Sequence, residues 1–173
     1  SYGIFPKNKE QQYLMQMCLD DNIEIGTVLG SAGTGKTLVT LASALEKTMI
    51  ERKFERILII RPVSQVGSEL GFLPGDLGSK TAPYMGSIYD AGEVIFQHMR
   101  MKLDRSIDTG GLDYLINQEK IQFATPNFMR GRNLPNSFII VDEAQNLSKS
   151  EIKTLITRTG DGSKMILTGD PYQ

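Results

Sequence analysis

Gly30-Ser31-Ala32-Gly33-Thr34-Gly35-Lys36-Thr37 is the stretch on which the fold turns. It fits the pattern G-x-x-x-x-G-K-[ST], and its flanks are what that pattern requires. Ile23–Leu29 reads as an apolar β-strand, and the run from Lys36 to about Glu51 reads as a helix. Glycines let the backbone wrap with its N–H groups pointing inward, and the helix N-terminus adds the positive end of its dipole. Such a cradle suits a triphosphate. Gly30, Ser31, Ala32, Gly33, Thr34 and Gly35 would supply the wrap, Lys36 would reach the β- and γ-phosphates, and the Thr37 hydroxyl would hold Mg²⁺. The competing reading, a glycine-rich turn without a ligand, does not account for the complete pattern between strand and helix. ATP with Mg²⁺ is the ligand expected.

Outward from this loop, short β-like apolar runs alternate with longer helix-like stretches, which predicts an α/β fold with a mostly parallel sheet covered by helices on both faces. Asn8 is placed to cap a first helix through about Leu19. Further strands are expected at Arg56–Ile60, Lys120–Ala124, Ser137–Val141 and Ser163–Thr168, with an amphipathic helix at Lys149–Arg158. The pair Arg61-Pro62 ends the second strand, because a residue before proline is pushed away from helical geometry. Val63–Lys80 is rich in glycine and reads as a shaped loop of functional length. A helical run within Thr81–Leu103, a polar break at Asp104–Gly111 and a short helix near Leu112–Asn117 are expected as an insertion beside the sheet.

Two more strand ends carry chemistry. Phe138-Ile139-Ile140-Val141 runs into Asp142-Glu143, and carboxylates at a strand's C-terminal end lie where open α/β sheets bind ligands. Asp142 would orient the Mg²⁺ shell and Glu143 would polarise the water that attacks the γ-phosphate. An acidic turn capping the next helix is the plainer alternative, and pairing with the Gly30–Thr37 loop argues against it. Leu167-Thr168-Gly169-Asp170-Pro171-Tyr172-Gln173 repeats the strand-to-turn arrangement, and Gln173 could bond a γ-phosphate or the attacking water.

Composition narrows the rest. The chain has 173 residues, 40% of them hydrophobic and 23% charged, which suits one compact domain. No run of about 18 apolar residues could span a bilayer, and no apolar leader opens the chain, so no membrane partner and a cytoplasmic location are expected. A formal net charge of −1 leaves no electrostatic footprint of a nucleic-acid binder. The single cysteine, Cys18, falls in a helical apolar pattern and reads as a buried structural thiol. His98 stands without the acidic or thiol neighbours that a zinc site needs.

The segments GSAGTGKT, IIVDEAQN and LTGDPYQ together resemble superfamily-one helicases and, more closely, the PhoH family of ATPases. The likeness extends to PKNKEQ at Pro6–Gln11, RPVSQVGSELGFLPGD at Arg61–Asp76, FMRGRNLP at Phe128–Pro135 and the EIKTLITRTG-like stretch Glu151–Gly160, so that it covers essentially the whole chain. Membership implies a RecA-like P-loop NTPase fold, ATPase activity, RNA binding or unwinding, and an adenine contact from Gln11. Many relatives carry a PIN nuclease domain ahead of this part, and the family continues past LTGDPYQ into a segment with a further arginine. One ATPase domain over residues 1–173, truncated at its C-terminus, is therefore expected.

Monomeric helicases use two RecA-like lobes with ATP between them, and 173 residues hold one. A neighbouring copy would supply the second in a ring, which the resemblance makes a hexamer, with an arginine finger reaching across. Arg158, Arg130 and Arg132 are the finger or interface candidates, each with the alternative of a solvated surface residue. The expected activity is an RNA-dependent ATPase or helicase, with Arg61, Gln65 and the loop to Asp76 near the track. The alternative is a nucleotide-gated oligomeric module that does no unwinding. A small-molecule phosphotransferase is disfavoured because the Asp-Glu pair suits water as acceptor.

Overall fold

The computed structural model describes residues 1–62, 85–102, 111–129 and 133–173. The expected loop Val63–Lys80, with Gln65 and the GFLPGD segment, lies outside these residues, as do Arg130 and Arg132.

Among the described residues, five strands form a single parallel sheet: β1 (Ile25–Leu29), β2 (Arg56–Ile60), β3 (Ile121–Ala124), β4 (Ser137–Val141) and β5 (Lys164–Gly169), in the order β1-β5-β4-β2-β3. Their boundaries lie within two residues of those expected. The central strands β2 and β4 read RILII and SFIIV because both faces are covered, and parallel strands buried on two sides are apolar without alternation. Side chains from successive residues separate into two cores. Ile57, Ile59, Phe138, Ile140 and Ile166 enter one, and Leu58, Ile60, Ile139, Val141 and Met165 enter the other.

The first core is closed by α1 (Lys9–Leu19), α2 (Lys36–Leu45), α3 (Gly86–Lys102) and α4 (Gly111–Asn117). Asn8 caps α1 as its sequence position predicts, its side chain accepting from Gln11 N at 2.8 Å. Helix α2 is buried from Val39 through Leu45, and it runs on for one π-helical turn, Glu46–Ile50, in place of plain α-helix to Glu51. The turn begins with Glu46, whose carboxylate accepts from the backbone of Tyr2, and includes Lys47, a buried cation paired with Asp21 at 2.7 Å.

Helices α3 and α4 are not an insertion beside the sheet. They lie in the connection from β2 to β3, and Ile88, Ile95, Phe96, Leu112 and Leu115 are buried in the same core as α2. These residues share one core cluster with the sheet, so the two helices belong to the layer that α2 starts. The second core is closed by α5 (Lys149–Arg158), which opens with a capping box: Ser148 accepts from Glu151 N, and the Glu151 carboxylate accepts from Ser148 N.

All five strands point their C-terminal ends the same way, as the parallel pairing requires. Leu29 is paired with Gly169, and Val141 with Leu167, so the loop after β1 and the ends of β4 and β5 meet along one edge of the sheet. No described helix is long and apolar enough to cross a membrane.

Candidate active site

The loop after β1 is held in its wrapped shape from three sides. Gly33 and Gly35 adopt φ of +77° and +86°, and a side chain at Gly35 would also place its Cβ 2.8 Å from Gln11 Nε2. Gln11 itself clamps the loop, accepting from Lys7 N at 2.8 Å and donating from Nε2 to Thr34 O at 3.0 Å. On the far side, Asp170 Oδ2 accepts from Ala32 N at 3.0 Å. The Lys36 ammonium donates to Gly30 O at 2.6 Å and Ser31 O at 2.8 Å, at the start of α2 where its stem spans the loop.

A cleft of about 370 Å³ opens above this loop, lined by residues of the loop itself, by Thr37, and by Ser87 and Asp90 of α3. Asp142, Glu143, Asp170 and Gln173 line it from the ends of β4 and β5. The expected phosphate-binding loop and the expected acidic pair therefore share one cleft.

Asp142 is buried and its carboxylate is fixed by two hydroxyls, Thr168 Oγ1 donating to Oδ1 at 3.0 Å and Ser87 Oγ to Oδ2 at 3.4 Å. Its neighbour behaves differently. Glu143 sits at φ 56°, in the left-handed region where a residue with a Cβ is strained by about 1–3 kcal/mol. That backbone turns its carboxylate toward Gln145 Nε2, which donates to Oε2 at 2.5 Å, and toward Arg61 Nη2, 3.6 Å from Oε1. Arg61 also donates from Nη1 to Ser87 Oγ at 3.3 Å, so α3 and the ends of β2 and β4 are tied together at the cleft. Arg61, at the C-terminal end of β2 as expected, thus stands beside Glu143.

The donor set suits a hard, oxygen-seeking cation held partly by phosphate. Asp142 and Thr37 give two oxygens, and among the described residues no cluster of three or more His, Cys, Asp or Glu could hold a metal alone. Mg²⁺ in nucleotide sites is bound in that way, by one or two protein oxygens plus phosphates and waters.

Of the other expected residues, Gln173 is exposed at the cleft rim, and its N–H lies 3.5 Å from Asp170 O. Arg158 does not join the cleft: it ends α5, exposed, where the chain turns toward the start of β5 at the opposite edge of the sheet. Gln145, Asp170, Thr168 and Ser87 had no role assigned from sequence. The first three lie inside the segments singled out there, two or more positions from the residues chosen. Ser87 carries no local signal and is brought in only by the packing of α3. Cys18 is fully buried, and burial pushes its thiol up to about 12. His98 Nδ1 lies 2.8 Å from Val94 O within α3.

Comparison with known proteins agrees with this geometry. Residues 3–173 match the family of PhoH-like proteins. Protein PhoH2 of Bacillus subtilis is 40% identical over 173 residues, spanning 99% of this chain and 37% of the relative. A PhoH-like protein of Synechocystis is 37% identical over 165 residues, spanning 95% of this chain and 46% of the relative. The chain thus spans less than half the length of either. Among solved structures, the UvsW helicase of bacteriophage T4 superposes with a TM-score of 0.55 at 17% identity, over 96% of this chain and 53% of that one. That likeness concerns the fold, a RecA-like P-loop NTPase core with a parallel sheet between helical layers.

Proposed function

The chain belongs to the PhoH family, and on that premise we propose that it binds ATP with Mg²⁺ and hydrolyses it in work on single-stranded RNA. The observation that carries the nucleotide part of this reading is the meeting of the Gly30–Thr37 loop, Asp142 and Glu143 in one cleft, and the RNA part rests on the family resemblance.

Four carboxylates line that cleft, those of Asp90, Asp142, Glu143 and Asp170, against the ammonium of Lys36. A bare triphosphate entering it meets like charge, which favours a nucleotide already carrying a divalent cation. Lys36 would leave the carbonyls of Gly30 and Ser31 to face the β- and γ-phosphates, while backbone N–H groups of the loop take the remaining oxygens. Thr37 and Asp142 would hold Mg²⁺, whose chemistry is to neutralise charge between the phosphates. Glu143, partly exposed and lining the cleft, would accept a proton from the attacking water. Gln11 would contact adenine, and Gln173 at the rim would respond to the γ-phosphate.

A single RecA-like lobe supports assembly into a ring, a hexamer by family resemblance, with Arg158 as a candidate to reach a neighbour's site. Relatives more than twice as long leave room for a PIN nuclease domain as an attached partner. The test is steady-state ATP hydrolysis with and without single-stranded RNA and single-stranded DNA, using Glu143→Gln as the blank. Stimulation by RNA supports the reading. Turnover indifferent to both polymers overturns the RNA assignment and favours a nucleotide-gated oligomeric module without unwinding.

A further inference from the structure

A continuous run of hydrogen bonds joins the phosphate-binding loop to Glu143. Ala32 N donates to Asp170 Oδ2 at 3.0 Å, Asp170 N donates to Gln145 Oε1 at 3.1 Å, and Gln145 Nε2 donates to Glu143 Oε2 at 2.5 Å. Asp170 is buried, and its second oxygen accepts from Tyr172 N at 2.9 Å, which fixes the turn after β5. Gly169 lets the amide in: a side chain there would place its Cβ 3.0 Å from Gln145 Oε1. An amide side chain can accept from a backbone N–H at one end and donate to a carboxylate at the other. Glutamine at 145 does both.

We propose that Gln145, supported by Asp170, is a positioning residue for hydrolysis. It fixes one oxygen of Glu143 so that the other faces the water, and it ties that orientation to the loop that receives the phosphates. This rests on the reading of Glu143 as the proton acceptor. Glu143 needs such a holder because its backbone is strained and its other partner among the described residues, Arg61, stands at 3.6 Å. A carboxylate free to turn would sample unproductive positions, and misplacement by about 1 Å can cost on the order of 100-fold in rate. The Asp170–Ala32 bond puts the same turn in contact with the loop, so movement of the loop on binding phosphate is felt at Glu143.

The experiment is single-turnover hydrolysis of radiolabelled ATP with Mg²⁺ by the chain carrying Gln145→Met, alone and combined with Glu143→Gln, with ATP affinity and thermal unfolding measured alongside. Gln145→Met should slow hydrolysis roughly 10- to 100-fold with ATP affinity unchanged, and should add nothing once Glu143 is already glutamine. Gln145→Glu is the second variant. It keeps the acceptor for Asp170 N and the folded turn but sets a carboxylate against Glu143, and it should slow hydrolysis at least as much. Equal losses from Gln145→Met in both backgrounds, or no loss in the wild type, would overturn the proposal while Glu143→Gln remained slow. Wild-type rates in Glu143→Gln itself would remove the proton-acceptor reading and the relay with it.

Discussion

Thr168 Oγ1 donates to Asp142 Oδ1 at 3.0 Å, so a hydroxyl at the end of β5 aims a carboxylate at the end of β4. Both groups are buried, Thr168 at 1% and Asp142 at 5% exposure, and the bond cannot be replaced cheaply by water. Thr168→Val keeps the shape and removes the donor. Expected outcomes are a loss of about 1–3 kcal/mol in unfolding free energy and a higher Mg²⁺ concentration for half-maximal hydrolysis. Denaturant unfolding and an Mg²⁺ titration of ATPase activity check them, and an unchanged Mg²⁺ midpoint would remove Asp142 from the cation site.

Lys36 and Gln11 make separable contributions to nucleotide binding. Lys36→Ala deletes the charge facing the phosphates and should abolish binding of ATP and GTP alike. Gln11→Ala removes the clamp on Thr34 O, and should weaken both nucleotides several-fold, about 1 kcal/mol for one hydrogen bond. A further loss confined to ATP is expected from the adenine contact. Titration with fluorescent analogues of both nucleotides separates the terms, and equal losses would leave Gln11 as a clamp alone.

Asp21 should give acid sensitivity far from the active site. Hydrogen bonds from Lys47 and Lys53, at 2.7 and 2.8 Å, hold its carboxyl down at about 2 against an ordinary 3.8. Because the folded value is depressed, the contribution is present above pH 3.8 and is lost as pH falls toward 2. Half of the Asp21 side chain is exposed, so solvent screening limits the effect to on the order of 1 kcal/mol. Asp21→Asn should lower the melting temperature at neutral pH, and the gap should close as pH falls through that window. A gap independent of pH would assign the loss to packing.

Cys18 should be unreactive in the folded protein. It is fully buried between α1 and α2 and its thiol is pushed up to about 12 by burial, whereas thiolate is the reactive form. Iodoacetamide at pH 8 should label it only above the denaturation midpoint. The raised value also has a sign: stability linked to this thiol is complete below about 9, where the unfolded thiol begins to ionise, and declines at higher pH. Rapid labelling of the native protein would contradict the buried placement.

Much of this was readable from residues in order. The P-loop, the cap at Asn8, and the apolar runs of β2 and β4 are local signals, because φ preferences, helix caps and burial on two faces act over a few neighbouring residues. The site was harder to read in full. Lys36 and Glu143 stood out because each belongs to a contiguous motif. Ser87 did not, since its role depends on α3 packing beside β2, and α3 itself reads as an insertion until its apolar stripe is seen against α2.

By itself the sequence determined that this is a P-loop α/β protein with an acidic pair at a strand end, because those features are written in consecutive residues. Tertiary structure decided what meets what. The strand order sets β5 between β1 and β4, which brings Asp170 to Ala32 across 138 positions and Thr168 to Asp142 across 26. It also sends Arg158 to the other edge of the sheet. Contacts of that span follow from how strands pair and helices pack, and no local preference encodes them.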